Sequence, residues 1–183
     1  MKKILIVDCE SQYTKLIAKC IRNLNQYCEI IHYSKLDYEV LGNVSGIVFS
    51  GSWQSVNNEN SPKILWNLIT DIPTLSICYS SQHLASFYNA HIISNSTNSE
   101  FGKTEIHLQG DHTIWKDIPN TINVWMSHSD IIDLQYNILA KSNNDITSAF
   151  YFDNHIGLLF HPEVYHTEYG IKMINNFLDI CEC

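Results

Sequence analysis

A cysteine within a run of small residues is the clearest chemical feature of this sequence. Cys78 follows the apolar run 72–75 and lies in the stretch Ser76-Ile77-Cys78-Tyr79-Ser80. A short strand that ends in small-x-Cys-x-small is typical of a nucleophile elbow, where the chain turns sharply into a helix and leaves little room for neighbouring side chains. The pattern predicts that Cys78 is a nucleophile whose thiolate is favoured by the N-terminus of the following helix.

A histidine and a glutamate later in the chain provide the base that such a thiol needs. His161 and Glu163 flank Pro162 and follow the apolar run 156–160. In extended backbone, residues i and i+2 face the same way, so the Glu163 carboxylate can accept a hydrogen bond from the His161 imidazole. That bond would fix the tautomer of His161 and stabilise its charged form. The sequence therefore predicts a catalytic triad of Cys78, His161 and Glu163.

Attack on a carbonyl carbon also requires N–H donors for the oxyanion that forms. The first predicted donor is the backbone N–H of Tyr79, the residue directly after the nucleophile. Gly51 and Ser52 lie in a loop that follows another apolar strand, where glycine permits an unusual backbone conformation. We expect this loop to supply the second donor.

Simpler interpretations exist for the same residues. A buried cysteine is more often an inert core residue than a nucleophile, and the elbow-like neighbours of Cys78 are what argue against this. Two groups resemble fragments of metal sites: the cluster His161, Glu163 and His166, and the pair Cys181 and Cys183. Neither shows the helical ligand spacing or the additional ligands of a metal site, so we expect no metal and no cofactor.

The predicted elements of the first half alternate between strands and helices. Apolar and β-branched runs predict strands at 3–8, 28–32, 46–49 and 74–77. Apolar positions and composition predict helices at 13–24, 62–69 and 81–88. Strands that alternate with helices indicate an α/β fold with an open, mostly parallel central sheet that helices cover on both faces.

The second half has a different pattern, in which short strands crowd together. They are predicted at 91–93, 103–108, 122–126, 137–141, 146–152 and 156–160. Their spacing favours antiparallel hairpins, with a turn at Asp153-Asn154 and a closing helix at 169–180.

This order of elements predicts a shared site at one edge of the sheet. In an open α/β sheet, sites form outside the carboxyl ends of the strands. Asp8, Ser50-Gly51, Cys78 and His161 each lie at or just after the end of a predicted strand.

Bulk composition restricts the class of protein. The 183 residues are enough for one domain, predicted at 1–183, and the net charge of −8 without a Lys/Arg cluster argues against nucleic acid as a partner. Four apolar residues after Lys3 are too few for a signal-peptide core, and no run of about 20 apolar residues predicts a membrane span. We therefore expect a cytoplasmic protein without a membrane partner, whose cysteines are reduced thiols.

Several stretches resemble the class I glutamine amidotransferases, and in particular the amidotransferase domain of GMP synthetase. The stretches that carry the resemblance are Ile77-Cys78-Tyr79 with Gln82, Glu100-Phe101-Gly102, Val124-Trp125-Met126-Ser127-His128 and Phe160-His161-Pro162-Glu163-Val164. The resemblance runs nearly end to end and implies the flavodoxin-like fold of that family.

The resemblance also implies a reaction. Cys78 would attack the side-chain amide of glutamine, His161 would protonate the departing ammonia, and Glu163 would orient His161. Water would then cleave the glutamyl thioester to glutamate.

Binding residues and a partner follow from the same resemblance. Gln82, Ser127 and His128 would help to hold the glutamine, with Gly51 and Tyr79 near the oxyanion. In the family, the ammonia passes to an ATP pyrophosphatase domain that adenylylates xanthosine 5′-phosphate (XMP) and makes GMP. The sequence contains no such domain, so the resemblance implies that the partner is a separate synthetase chain.

This chain departs from the family pattern around the predicted site. The family usually has glycine at the positions of Ser76 and Ser80, Gly-Pro at Ser52-Trp53, and Phe-Gly at Cys9-Glu10. If the backbone requires positive φ at Ser80, we expect a strain of about 1 to 2 kcal/mol there. We also expect Ser52 to hinder a peptide flip in its loop and Trp53 to crowd or reshape the pocket.

The departures leave two alternative functions open. One is a catalytically impaired homologue that binds and regulates a synthetase. The other is a cysteine hydrolase that acts on a different γ-glutamyl amide.

Overall fold

The computed structural model describes residues 3–94 and 97–181. These residues contain eleven strands and three α-helices, joined by loops and short 3-10 turns. The helices are α1 (Thr14–Asn23), α2 (Tyr79–Phe87) and α3 (Gly170–Ile180). The strands are β1 (Lys3–Asp8), β2 (Cys28–His32), β3 (Val44–Phe49), β4 (Thr74–Ile77), β5 (His91–Ser94), β6 (Glu100–Leu108), β7 (Thr121–His128), β8 (Asp130–Asp133), β9 (Ile138–Ser142), β10 (Thr147–Phe152) and β11 (His155–Leu158).

Parallel and antiparallel strands share one large sheet. Among the described residues, nine strands follow the order β2-β1-β3-β4-β11-β10-β9-β6-β7. The first five are parallel to one another, and the last four extend the sheet in antiparallel pairs. β5 and β8 form a separate antiparallel pair. The predicted fold class, with a parallel first half and hairpins in the second, is confirmed.

The central strands are buried on both faces because helices cover both sides of the sheet. Ile4, Leu5, Ile6 and Val7 of β1 are all 0% exposed. Ile4 and Ile6 belong to the apolar cluster that contains residues of α1 and α3. Leu5 and Val7 belong to the opposite cluster, which contains residues of α2. This alternation is the period of two expected of a strand between two layers.

The last hairpin of the sheet turns where the sequence predicts it. Asp153 and Asn154 connect β10 to β11, and Asp153 has a positive φ of 48°. Aspartate tolerates the left-handed region better than most residues, which suits it to this tight turn.

The predicted helix at 62–69 is wrong. Only Trp66–Leu68 forms a short 3-10 turn. Pro62, Ile64 and Trp66 are buried while the residues between them are exposed, which is a period of two and not of a helix. Nδ1 of His83 accepts a hydrogen bond from the Trp66 indole N–H (3.0 Å), so a side chain replaces part of the helical bonding.

One strand escaped sequence prediction. β8 is only four residues long, and aspartates stand at both of its ends. Its pairing with β5 buries Ile132 opposite Ile92. Four residues with an aspartate at each end have a low intrinsic preference for a strand. Pairing with β5 therefore decides their conformation.

The strand order brings the predicted site residues to one edge. β1, β3, β4 and β11 are consecutive and parallel in the sheet, so their carboxyl ends lie side by side. Asp8 ends β1, Ser50 and Cys78 directly follow β3 and β4, and His161 comes shortly after β11. The site predicted at this edge therefore has the scaffold that it needs.

Three further expectations concern the cysteines and membrane-spanning segments. Cys9, Cys20, Cys28 and Cys78 carry free, buried thiols. Cys183, the last residue of the Cys-x-Cys pair, lies outside the described residues. In ranges 3–94 and 97–181, none of the helices has the length and apolar character needed to cross a membrane.

Candidate active site

Cys78 occupies a strained turn between β4 and α2. β4 ends at Ile77 and α2 begins at Tyr79, so one residue makes the whole change of direction. Cys78 has φ 52° and ψ −110°, a conformation that non-glycine residues rarely adopt. Its N–H donates to the Leu158 carbonyl oxygen at 2.7 Å, which ties the turn to β11. This is the geometry of a nucleophile elbow, with the thiol at the N-terminus of a helix.

The strain lies on the cysteine, and the positive φ that would strain Ser80 does not occur. Ser80 is in the first turn of α2, and its φ is not among the positive values of the chain. Its hydroxyl oxygen accepts from the Ile77 N–H at 2.8 Å and lies 3.0 Å from the Phe49 carbonyl oxygen. Serine here thus joins the ends of β3 and β4 to the helix, which glycine could not do.

His161 and Glu163 form a buried hydrogen-bonded pair. Nδ1 of His161 lies 2.8 Å from Oε1 of Glu163, and both side chains are almost inaccessible to water. The backbone N–H of His161 donates to the Trp125 carbonyl oxygen at 3.0 Å. The Thr167 hydroxyl donates to the His161 carbonyl oxygen at 2.6 Å. The backbone bond to Trp125 anchors the segment that carries both side chains to β7.

The electrostatic surroundings favour the charged form of His161. Burial by itself lowers the pKa of this imidazole, because a charged ring loses its hydration. The Glu163 carboxylate and the Cys78 sulfur outweigh burial and raise the pKa well above its usual value. An imidazole of this kind can hold the proton of the Cys78 thiol.

Gly51 lies where the loops that carry Ser11, Cys78 and His161 approach one another closely. A Cβ atom added to Gly51 would lie 3.3 Å from Cε1 of His161 and 3.6 Å from Cβ of Cys78. The same atom would lie 3.7 Å from Oγ of Ser11, in the loop that follows β1. The strand ends thus bring the thiol, the imidazole and the glycine loop into contact, with little space for any side chain at position 51.

The predicted oxyanion residues lie around the thiol. Tyr79 is the first residue of α2, and the first N–H groups of a helix have no acceptor within it. Ser50 donates its hydroxyl to the Gly51 carbonyl oxygen at 3.0 Å and accepts from the Cys9 N–H at 2.9 Å. The hydroxyl therefore fixes the start of the loop that continues into Ser52.

A cavity of about 610 Å³ opens above the thiol. Cys78, His161 and Ser52 contribute to its lining. Trp53 and Phe101 also line it, but they are 78% and 68% exposed and stand at its mouth. Trp53 therefore extends the wall of the cavity into solvent.

The residues predicted to hold a substrate all line this cavity. Gln82 is buried and donates its side-chain N–H to the Asp130 carbonyl oxygen at 2.9 Å. The Ser127 carbonyl oxygen lies 3.6 Å from the Cys78 sulfur. His128 is buried and faces Glu100. The structure thus brings Gln82, Ser127 and His128 to the same space as the thiol.

The described residues His161, Glu163 and His166 are not arranged around one point. The His166 ring stacks on Trp125 with centroids 4.4 Å apart, away from the bond between His161 and Glu163. Within the described ranges, no group of three or more His, Cys, Asp or Glu side chains is placed to hold an ion.

Sequence reasoning passed over some residues of the site. Tyr13 contacts the His161 ring edge-on, with centroids 5.1 Å apart. Asp130 is buried, lines the cavity and accepts a hydrogen bond from the Ser55 hydroxyl. Asp130 lies two residues after His128, and this spacing in an extended segment was a usable signal.

Glu10 is a second strained residue at this edge. It has a positive φ of 69°, lines the cavity and accepts from the Gln54 side-chain N–H at 3.0 Å. This is the position where the family usually has glycine, which adopts positive φ without steric cost.

The strain at Glu10 predicts an unusual order of stability. We expect Glu10→Gly to unfold with a free energy about 1 kcal/mol higher than Glu10→Ala, because only glycine relieves the Cβ clash. Urea denaturation of both variants measures the difference. The same pair at exposed Glu39, whose φ is not positive, is the control and should show no advantage for glycine. An alanine variant at position 10 as stable as the glycine variant would contradict the prediction.

Comparison with known proteins agrees with the fold and identifies the family. The profile of the family "Glutamine amidotransferase class-I" matches residues 5–181. The chain therefore belongs to the class I glutamine amidotransferase family.

Within this family, the chain is similar to proteins that are named GMP synthase. The chain is 39% identical to "GMP synthase [glutamine-hydrolyzing]" from Petrotoga mobilis over 188 residues, which cover 99% of this chain and 36% of that protein. It is also 39% identical to the protein of the same name from Clostridium tetani, covering 100% of this chain and 38% of that one. The chain thus spans little more than a third of the curated relatives that it matches.

Solved structures match over nearly the whole fold. A protein from Thermoplasma acidophilum, provisionally described as one of the subunits of GMP synthase, superposes with a TM-score of 0.85 and 28% identity, covering 100% of this chain and 94% of that one. A glutamine amidotransferase from Thermotoga maritima shares the fold, with a TM-score of 0.77 and 20% identity over 98% of this chain and 82% of that one.

Proposed function

We propose that this chain, as one amidotransferase domain spanning residues 1–183, hydrolyses glutamine to glutamate and ammonia. The observation that carries the proposal is the strained elbow of Cys78 next to a buried imidazole, which is itself bonded to Glu163 at 2.8 Å. A nucleophilic thiol requires a neighbouring base that a third group orients, whereas a thiol that only packs in the core does not.

In the first half of the reaction, His161 accepts the proton of the Cys78 thiol. The thiolate attacks the δ-carbon of glutamine, and the carbonyl oxygen becomes an oxyanion. Donors for this oxyanion are the N–H of Tyr79 and an N–H of the loop at Gly51 and Ser52. The C–N bond then breaks, and the leaving nitrogen takes the proton from His161 and departs as ammonia.

In the second half, His161 acts as a base towards water. The hydroxide equivalent attacks the thioester carbon, the C–S bond breaks and glutamate leaves. The proton held by His161 returns to the Cys78 sulfur. Glu163 keeps the ring oriented and stabilises its positive charge in both halves.

The lining of the cavity supports the assignment of substrate contacts. Gln82, Ser127 and His128 lie beside the thiol and would hold the amino-acid end of glutamine. The exposed Trp53 and Phe101 provide apolar surface at the cavity mouth that suits contact with a second protein or domain.

We further propose that the ammonia serves a separate ATP pyrophosphatase subunit that activates XMP for GMP synthesis. The curated relatives are named GMP synthase and are more than twice as long as this chain. The Thermoplasma protein is provisionally described as a subunit of GMP synthase, which supports a synthetase partner on a second chain.

A glutaminase assay tests the proposal. The purified chain should release glutamate and ammonia from glutamine in equal amounts, and faster with an XMP-activating synthetase, XMP and ATP. A glutamine analogue with an electrophilic δ-carbon should label one cysteine per chain, and peptide mass spectrometry should locate it at Cys78.

Other outcomes would identify a different function. Absence of both labelling and glutamate, even with the synthetase, would refute the hydrolase and leave a binding subunit. Labelling with no turnover of glutamine, but turnover of an N-substituted γ-glutamyl amide, would show a hydrolase of different specificity.

A further inference from the structure

A strained acidic residue connects two neighbouring loops at the mouth of the cavity. Glu10 belongs to the loop after β1 and Gln54 to the loop after β3, and these two strands are parallel neighbours in the sheet. Oε2 of Glu10 accepts a hydrogen bond from the Gln54 side-chain N–H at 3.0 Å. Oε1 of the same carboxylate lies 4.0 Å from Nε2 of His32, the last residue of β2. The Glu10 carboxylate therefore lies between the ends of three adjacent strands.

The backbone of Glu10 is fixed in a conformation that a side chain disfavours. Oδ1 of Asp8 accepts hydrogen bonds from the backbone N–H groups of Glu10 at 3.0 Å and of Ser11 at 3.2 Å. The Thr14 hydroxyl donates to the same oxygen at 2.7 Å. These bonds hold the turn in which Glu10 has its φ of 69°. Strained residues persist where the surrounding contacts impose them, and they concentrate at functional sites, so Glu10 is a candidate for a functional role.

The loop after β3, residues 51–55, is the oxyanion loop of the proposed reaction and depends on side chains for its position. Among the described residues, no backbone-to-backbone hydrogen bond involves residues 51–54. The Ser50 hydroxyl bonds the start of the oxyanion loop, and the Ser55 hydroxyl bonds its end to the neighbouring structure. Between these points, the described hydrogen bond to another part of the chain is the one from Gln54 to Glu10. That bond therefore restrains the middle of the oxyanion loop.

The restraint at Gln54 reaches the residue that is expected to supply the oxyanion donor. The backbone N–H of Gln54 donates to Oγ of Ser52 at 3.3 Å, so these two residues are tied together. Trp53 between them is largely exposed, and packing therefore restrains it little. An oxyanion donor is effective only when it is held in place before the reaction, and a misplacement of about 1 Å can cost about 100-fold in rate. The position of the Ser52 N–H therefore depends on what holds Gln54.

We propose that Glu10 is a positioning residue for glutamine hydrolysis, because its carboxylate holds Gln54 and so fixes the oxyanion loop beside the Cys78 thiol. The inference rests on the proposed function, since the oxyanion forms only in that reaction. Glu10 acts through Gln54 and needs no contact with the substrate. A glycine at position 10, which the family usually has, could not form this bond. The strain at Glu10 is then the cost of placing a carboxylate where it can restrain the oxyanion loop.

Steady-state kinetics with paired variants tests the inference. Glu10→Gly and Glu10→Ala both remove the carboxylate, so both should lower kcat for glutamine about 5- to 50-fold, although the glycine variant is the more stable of the two. Gln54→Ala should reproduce this loss, because it removes the other half of the same bond. KM should change less than about threefold in all three variants, since the donor acts on the transition state. Activity that follows stability, with the glycine variant close to the wild type, would show a merely structural role and overturn the inference.

Further variants separate the bond from the two side chains that make it. Glu10→Gln keeps an acceptor oxygen for Gln54 and should recover most of the lost kcat. The double variant Glu10→Gly with Gln54→Ala should be no slower than either single variant, because both changes break one bond. Glu39→Ala removes an exposed glutamate outside the cavity lining and should leave kcat unchanged. Losses that multiply in the double variant, or wild-type kcat in Gln54→Ala, would show that Glu10 does not act through Gln54 and would overturn the inference.

Fluorine NMR keeps this test independent of catalysis. Trp53 precedes Gln54 in the oxyanion loop, so 5-fluorotryptophan at this position reports on the loop, and Trp53→Phe assigns its signal among the four tryptophans. Glu10→Gly and Gln54→Ala should shift and narrow the Trp53 signal as the side chain gains mobility, whereas Glu39→Ala should not. If the wild type hydrolyses no glutamine but both variants mobilise Trp53, the proposed function fails and the restraint on the loop stands. A Trp53 signal that neither variant changes overturns the inference.

Discussion

Replacement of Cys78 by alanine is expected to abolish glutamine hydrolysis, with kcat falling at least about 10⁴-fold. The variant keeps the cavity and the pair formed by His161 and Glu163, but no atom remains to form the thioester. Glutamate release under saturating glutamine measures the loss. Binding of glutamine should survive, because the side chain removed is small and lies at the floor of the cavity.

Cys20 provides the matched control for this substitution. Its sulfur is buried and lies 3.8 Å from the Glu163 carbonyl oxygen, so it is a thiol close to the triad but outside the cavity. Cys20→Ala should keep kcat within about threefold of the wild-type value. Residual hydrolysis in Cys78→Ala, together with strong loss in Cys20→Ala, would show that the wrong thiol was assigned.

Gly170→Ala is expected to lower the free energy of unfolding by about 3 kcal/mol or more and to impair catalysis. A Cβ atom on Gly170 would lie 2.0 Å from the Pro162 carbonyl oxygen and 3.2 Å from the Pro162 Cα atom. Backbone atoms cannot rotate away as a side chain would, so either α3 or the segment that carries His161 and Glu163 must move. Urea denaturation and glutamate release report the two consequences.

Gly42→Ala is the control for the loss of a glycine as such. The nearest atom to its added Cβ is the Glu39 carbonyl oxygen at 3.5 Å, an ordinary contact. Its unfolding free energy should stay within about 0.5 kcal/mol of the wild type. A Gly170→Ala protein as stable and as active as the wild type would mean that α3 does not pin the His161 segment.

Features that depend on neighbouring residues in sequence were predictable. Small residues around Cys78 indicate the elbow, and the two-residue spacing of His161 and Glu163 indicates their pairing, although the structure makes it through a turn and not through extended backbone. Both depend on backbone geometry over a few residues, where sequence and structure are directly linked.

Features that depend on packing were not predictable in this way. Ile64 and Trp66 have a composition compatible with a helix, but packing in one buried cluster with residues of α2 and the bond from Trp66 to His83 hold them in an irregular segment. Positive φ, the condition for backbone strain, occurs at Cys78 and at Glu10 and not at Ser80. Local sequence shows that a turn is sharp, whereas the surrounding contacts decide which residue bears the unfavourable φ.

The sequence by itself determined the α/β class and the types of residue available for chemistry, because periodicity and short motifs follow from local backbone geometry. Only the tertiary structure decided which of these residues meet. Glu100 and His128 become partners through the register of β6 and β7, and Gly51 meets Cys78 and His161 because the parallel strands are adjacent in the sheet. Contacts between distant parts of the chain depend on strand order and register, which no short stretch of residues contains.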